Sequence, residues 1–137
     1  MTRVFLDANC LFSAAYREEA GIIRLWELDD VELMTSAYAL EEARRNLSRQ
    51  EQRQRLDKLT RSVKVIAVHT PDLSLPEQIL LPEKDRPILL AAVHSGATHL
   101  LTGDNRHFGR YYEQVVEGVL ILPPAEFLRT HRSGSKS

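Results

Sequence analysis

The chain has almost no cysteine. Cys10 stands alone among 137 residues, which excludes an internal disulfide and a thiolate metal cluster within one chain. Beside Leu11 and Phe12 it reads as a small buried hydrophobe, not a nucleophile. Neither sign of charge dominates: 18 Lys and Arg face 19 Asp and Glu. A global field of the kind that marks a nucleic-acid binder is therefore missing, and any such partner has to be held by a local patch. No apolar run approaches the ~20 residues that cross a bilayer, and no basic region followed by a signal-peptide core opens the sequence. A cytoplasmic protein without a membrane segment is the expectation. No glycine-rich turn follows the first apolar run either, which argues against a dinucleotide-binding fingerprint.

What is present is ordinary for a globular protein, 43% apolar and 27% charged residues. The length suits one core that buries roughly two thirds of the surface the unfolded chain exposes. One domain over residues 1–130 and a mobile polar tail over 131–137 are expected. RVFL at 3–6 reads as a strand, followed by helical spacing through DANCLFSAAY. AGIIRLWEL predicts a second helix that buries Ile22, Ile23, Trp26 and Leu25 on one face. VELMT at 31–35 is the second strand, and Ser36 the N-cap of a long helical stretch whose polar gap between Leu47 and Leu56 predicts a break or a protruding end. VKVIAV at 63–68 has the β-branched run of a strand buried on both faces. The proline-bearing stretch 69–84 is a loop. Asp85 then looks like the N-cap of DRPILLAAVHSG, THLLT the fourth strand, RYYEQVVEG a short helix, VLIL the last strand and PAEFLRTH a closing turn of helix. Strands alternating with helices imply a parallel sheet covered on both faces.

In such a sheet every strand exits on one edge, where ligands bind at the reversal of strand order. Asp7 leaves strand one and Asp104 leaves strand four. Asp85 opens the helix before strand four, so it starts on the same edge. Glu41 and Glu42 fall early in the helix after strand two, and at most one of them points inward. Acids far apart in sequence can therefore converge, and carboxylates so gathered repel unless some take up protons or a cation joins them. Oxygen ligands completed by water suit Mg²⁺ or Mn²⁺, whose chemistry is phosphodiester hydrolysis. Each acid also has a bland reading. Asp7 and Asp85 can be helix caps, Asp104 a turn former, and Glu41 a partner for Arg45 four residues on.

Taken in order, FLDANCLFSA, TSAYALEEARRNL and KDRPILLAAVHSGATHLLTGDNRHF resemble the PIN-domain nuclease family, over nearly the whole chain from Val4 to about Leu128. The resemblance implies a three-layer α/β/α fold with a central parallel sheet. It also implies a catalytic, metal-binding set of Asp7, Glu42, Asp85 and Asp104, with Glu42 chosen over Glu41 for its distance from Ser36. Asn9, Ser36, Thr102 and Asn105 are expected behind these acids, holding them by hydrogen bonds. Two positions depart from the family's usual pattern: His107 and His99 stand where acids are common, which leaves fewer ligands for a second ion.

The activity implied is Mg²⁺- or Mn²⁺-dependent cleavage of single-stranded RNA. Many small bacterial PIN domains look like VapC-type toxins, so an antitoxin partner and a homodimer are implied too. Arg44, Arg45, Arg106 and His107 are the expected RNA contacts, with phosphate binding that salt weakens. The competing readings are a PIN scaffold that binds RNA or protein without cutting, and an aspartate-dependent phosphatase. The phosphatase is disfavoured because Asn9 stands where its second acid belongs.

Overall fold

A computed structural model describes residues 1–67 and 75–131. The strands are β1 (Thr2–Leu6), β2 (Val31–Ser36), β3 (Lys64–Ile66), β4 (His99–Leu101), β5 (Val115–Val116) and β6 (Val119–Leu122). Between and after them lie α1 (Ala8–Tyr16), α2 (Ala37–Asn46), α3 (Gln50–Thr60), α4 (Arg86–His94), α5 (Asn105–Phe108) and α6 (Pro124–Thr130). The sheet order is β3-β2-β1-β4-β6-β5, parallel throughout except for the β5–β6 pair. Helices cover both faces, giving the α/β/α layering expected of the sequence.

β1 sits at the middle because it is apolar on both sides: Val4, Phe5 and Leu6 are wholly buried. Each such side chain contributes roughly 1.5–3 kcal/mol by leaving water. The chain winds outward from β1 to β2 to β3, then returns across the sheet to β4 on the other flank of β1. The strand order thus reverses between β1 and β4, where exits diverge and leave a crevice. α1 packs on α2 and α3, and α4 touches α2, β2 and β4.

Several local expectations are corrected. β3 is an edge strand, not one buried on both faces: Lys64 is exposed and Val65 retains 41% of its accessible surface. The end of the expected strand, Val68, lies outside the described residues, as do His69 and most of the polar tail. GIIRLWE forms a 3-10 helix over Gly21–Glu27. Its near-threefold period aligns residues 22, 25 and 28, so Leu25 is the buried anchor. Trp26 is half-buried, its Nε1–H donating to the Leu59 carbonyl at 2.9 Å. The long helical stretch does break, with Leu47 extended and buried between α2 and α3.

RYYEQVVEG is not a helix. A 3-10 turn at Gly109–Tyr111 leads into β5, and Glu117 and Gly118, with φ of 50° and 85°, form the two-residue turn to β6. Positive φ at both central positions matches the turn twist that hairpins favour. Asp85 occupies the N-cap position of α4, but its side chain makes no capping bond. Pro87, two places on, lacks one of the N–H groups such a cap would accept.

Candidate active site

At the strand exits lies an open cleft of about 600 Å³, lined by Asp7, Asn9, Glu42, Asp85 and Asp104 together with Phe12, Asn46 and Lys84. The four predicted acids thus come from four different places in the chain to one cavity. Glu41 is exposed, whereas Glu42 on the next residue is half-buried and faces the cleft.

Asp7 forms the floor. It caps α1, with Oδ1 accepting from the Ala8 N–H at 2.6 Å. Its Oδ2 accepts from the Thr102 hydroxyl at 2.8 Å and from Asn9 Nδ2 at 3.1 Å. Burial pushes the Asp7 carboxyl up to about 6; the Thr102 and Ala8 hydrogen bonds oppose that rise, and the charges of Asp85 and Glu42 add to it. Asn9 also clasps the opposite loop, its Oδ1 accepting from Gly103 N–H at 2.7 Å. Thr102 in turn accepts from Asp104 N–H at 3.1 Å.

The other wall is built differently. Asp104 caps the short α5 through Oδ1, which accepts from His107 N–H at 3.1 Å, and its Oδ2 meets His107 Nδ1 at 2.8 Å. Asp85, 8% exposed, has a buried Oδ2 without a hydrogen-bond partner. That oxygen is 3.2 Å from His107 Nδ1, which lies closer to Asp104 Oδ2, at 2.8 Å. Burial raises the Asp85 carboxyl above its usual range, with Lys84 opposing, Asp104 adding and His107 opposing. A buried carboxylate oxygen left unpaired costs about 1–3 kcal/mol or more. Asp85, Asp104 and His107 each offer an atom within 4.8 Å of the others, a group that does not include Asp7 or Glu42; with Asp85 Oδ2 lacking a partner among the described residues, this donor set fits a divalent cation.

The remaining predicted positions fall into two groups. Asn9 and Thr102 bind Asp7 directly. Ser36 places its oxygen on the Ala39 N–H, 3.1 Å away, at the start of α2, and the Asn105 side chain lies over Gly109 of its own turn. Arg45 and Arg106 are exposed, while Arg44 is held by Asp57 at 2.6 Å. His107 turns inward onto Asp85 and Asp104. His99 begins β4 with its ring edge-on to Phe127.

Sequence reasoning missed Thr35, a buried residue whose hydroxyl donates to the Leu6 carbonyl at 2.8 Å and fixes the β1 exit. It also missed Tyr112, which donates to the Thr102 carbonyl at 2.8 Å, and Lys84. Of these only Lys84, next to Asp85, carried a signal in its position.

A reversal point in a mostly parallel α/β/α sheet, with carboxylates from separate elements on its edge, defines the class as an open α/β domain with an acidic cleft at its strand exits. Within that class, residues 3–106 match the family model described as PIN domain, and the chain belongs to the PIN-domain family. No curated protein sequence matches the chain. Among solved structures, the fold is similar to that of VapBC2 from Rickettsia felis, described as bound to a DNA fragment from their promoter. There the TM-score is 0.65 at 13% identity, over 89% of this chain and 98% of that one. VapBC-1 from nontypeable Haemophilus influenzae is similar at a TM-score of 0.57 and 18% identity, over 90% and 99% of the two chains. No helix among the described residues is long and apolar enough to cross a membrane.

Proposed function

We propose that the protein is a divalent-metal-dependent endoribonuclease acting on single-stranded RNA, with Asp7, Glu42, Asp85 and Asp104 as its metal-binding and catalytic acids. The observation that carries this reading is the unpartnered, buried Asp85 Oδ2 in a cleft shared by three other carboxylates. A bound cation would neutralise phosphate charge and lower the pKa of an attacking water. The chain's own groups set the geometry. Thr102, Asn9 and the Ala8 N–H fix the Asp7 carboxylate, so its orientation does not have to be found during turnover.

Lys84 on the cleft wall, with Arg45 exposed on the helix that carries Glu42 and Arg106 exposed on the turn of helix after Asp104, supplies positive charge for the RNA backbone, a contact without sequence preference. Phe12, half-buried in the lining, offers a face for an unpaired base to stack on, which favours single strands over duplex. The fold shared with two VapBC structures supports a place in a toxin–antitoxin pair, with a cognate antitoxin as protein partner.

The test is RNA cleavage with Mg²⁺ or Mn²⁺, after chelation, and with a chromogenic phosphate ester alongside. Metal-dependent RNA cleavage that Asp104→Asn abolishes, with the fold intact by circular dichroism, is expected. Undiminished turnover in that variant, or activity on the ester alone, would overturn the reading.

A further inference from the structure

His107 is partly exposed, and its ring turns Nδ1 inward onto two carboxylates. Its Nδ1 lies 2.8 Å from Asp104 Oδ2 and 3.2 Å from Asp85 Oδ2. One donor atom from each of the three residues fits within a sphere of mutual separations no greater than 4.8 Å. Adjacent ligands of an octahedral ion at 2.0–2.2 Å are about 3 Å apart and opposite ones about 4.2 Å, so all three atoms can share one ion with small adjustments. The second observation is independent of the clustering. Asp85 is 8% exposed and its Oδ2, 3.2 Å from His107 Nδ1, has no hydrogen-bond partner among the described residues. Asp104 meanwhile commits Oδ1 to the start of α5 and turns only Oδ2 toward His107.

We infer that His107 Nδ1, Asp85 Oδ2 and Asp104 Oδ2 form a mixed nitrogen and oxygen cation site at the α4–α5 end of the cleft, selective for Mn²⁺ over Mg²⁺. This rests on the metal-dependent reading above and names the ion it uses. Mg²⁺ prefers an all-oxygen shell and sheds water reluctantly, whereas a first-row transition ion accepts imidazole. With the ion bound, the Nδ1 lone pair would serve and the ring proton would sit on Nε2, the cation taking the place of any proton shared between Nδ1 and Asp104. His99 and His131 pack on Phe127, and His94 ends α4, so among the described residues His107 is the nitrogen donor at this place.

The simpler role, an imidazole that only pairs with two carboxylates, predicts the opposite sign. Removing such a competitor would free both acids and leave cation binding equal or tighter. The experiment titrates the intact protein and its His107→Asn variant with Mn²⁺, following the free-ion electron paramagnetic resonance signal, with Mg²⁺ measured by competition. Electron spin-echo modulation then reads any nitrogen bound to Mn²⁺. Wild type should show directly coordinated nitrogen. The variant should lose it, together with at least about tenfold in Mn²⁺ affinity, the loss typical even of disturbing a ligand's supporting partner, while Mg²⁺ binding changes much less.

Missing nitrogen modulation in wild type, which requires no variant to fold, would overturn the assignment, as would Mn²⁺ affinity that holds or rises in His107→Asn. Those results leave the metal-dependent reading standing if wild type still binds the ion. A wild type that binds neither ion overturns both.

Discussion

The floor and the wall of the cleft each present a buried aspartate, and they are treated in opposite ways. Asp7 receives three hydrogen bonds, from a backbone N–H, a hydroxyl and an amide. Asp85 has an oxygen that receives none. The protein has preorganised one carboxylate for its geometry and left the other with its demand unmet, so only the second should respond strongly to what enters the cleft. Burial raises both carboxyls; hydrogen bonds oppose that at Asp7, whereas at Asp85 only the charges of Lys84 and His107 do.

This contrast can be broken by substitution. The largest effect is expected in catalysis: Asp85→Asn and Asp104→Asn should each lower RNA cleavage by about 10²–10³-fold, the scale for losing one group that stabilises transition-state charge. Single-turnover assays at saturating metal would check it. Next comes pH. Asp7 has a folded-state pKa of about 6 against 3.8 for a free aspartate side chain, so the folded state binds its proton more tightly than the unfolded one. Its contribution to stability is then fully present below about pH 4 and is lost as pH rises toward 6, by at most about 3 kcal/mol. Metal-free Asp7→Asn should lack that slope in urea melts taken between pH 4 and 7.5, and should be more stable than wild type at the upper end.

A smaller effect, about 1–3 kcal/mol of destabilisation, is expected for Thr102→Val, which strips a donor from buried Asp7; Thr102→Ser should recover most of it in the same melts. Smallest is the rim. Neutralising Arg45 and Arg106 together should weaken RNA binding and reduce the salt slope by roughly one to two, with metal affinity and stability unchanged.

Much of this architecture was legible in the chain because buried parallel strands announce themselves. RVFL and THLLT are short apolar runs that end abruptly at Asp7 and at Gly103–Asp104, and the alternation with helices places both ends on one edge. What was hidden depended on contacts between distant segments. The hydroxyls of Thr35 and Tyr112 act through carbonyls 29 and 10 residues away, and no local pattern marks them. β3 looked central from its β-branched residues, yet edge or interior is decided by neighbours, not by composition. VVEGVLIL was misread for a different reason: Glu117 adopts the left-handed conformation usually left to Asn or Gly, so the hairpin signal was half concealed. The missing side-chain cap at Asp85 was equally invisible, since the same Asp before Arg86–Pro87 would ordinarily read as a helix start.

The clasp of Asn9 on Gly103 has a practical consequence. Gly103 lies exposed on its turn, where a backbone amide would normally trade its hydrogen with solvent almost freely. Because that N–H is committed to a side chain from the other loop, it should exchange slowly for its location. A single glycine resonance would then report whether the two halves of the cleft are joined, before any substrate is added.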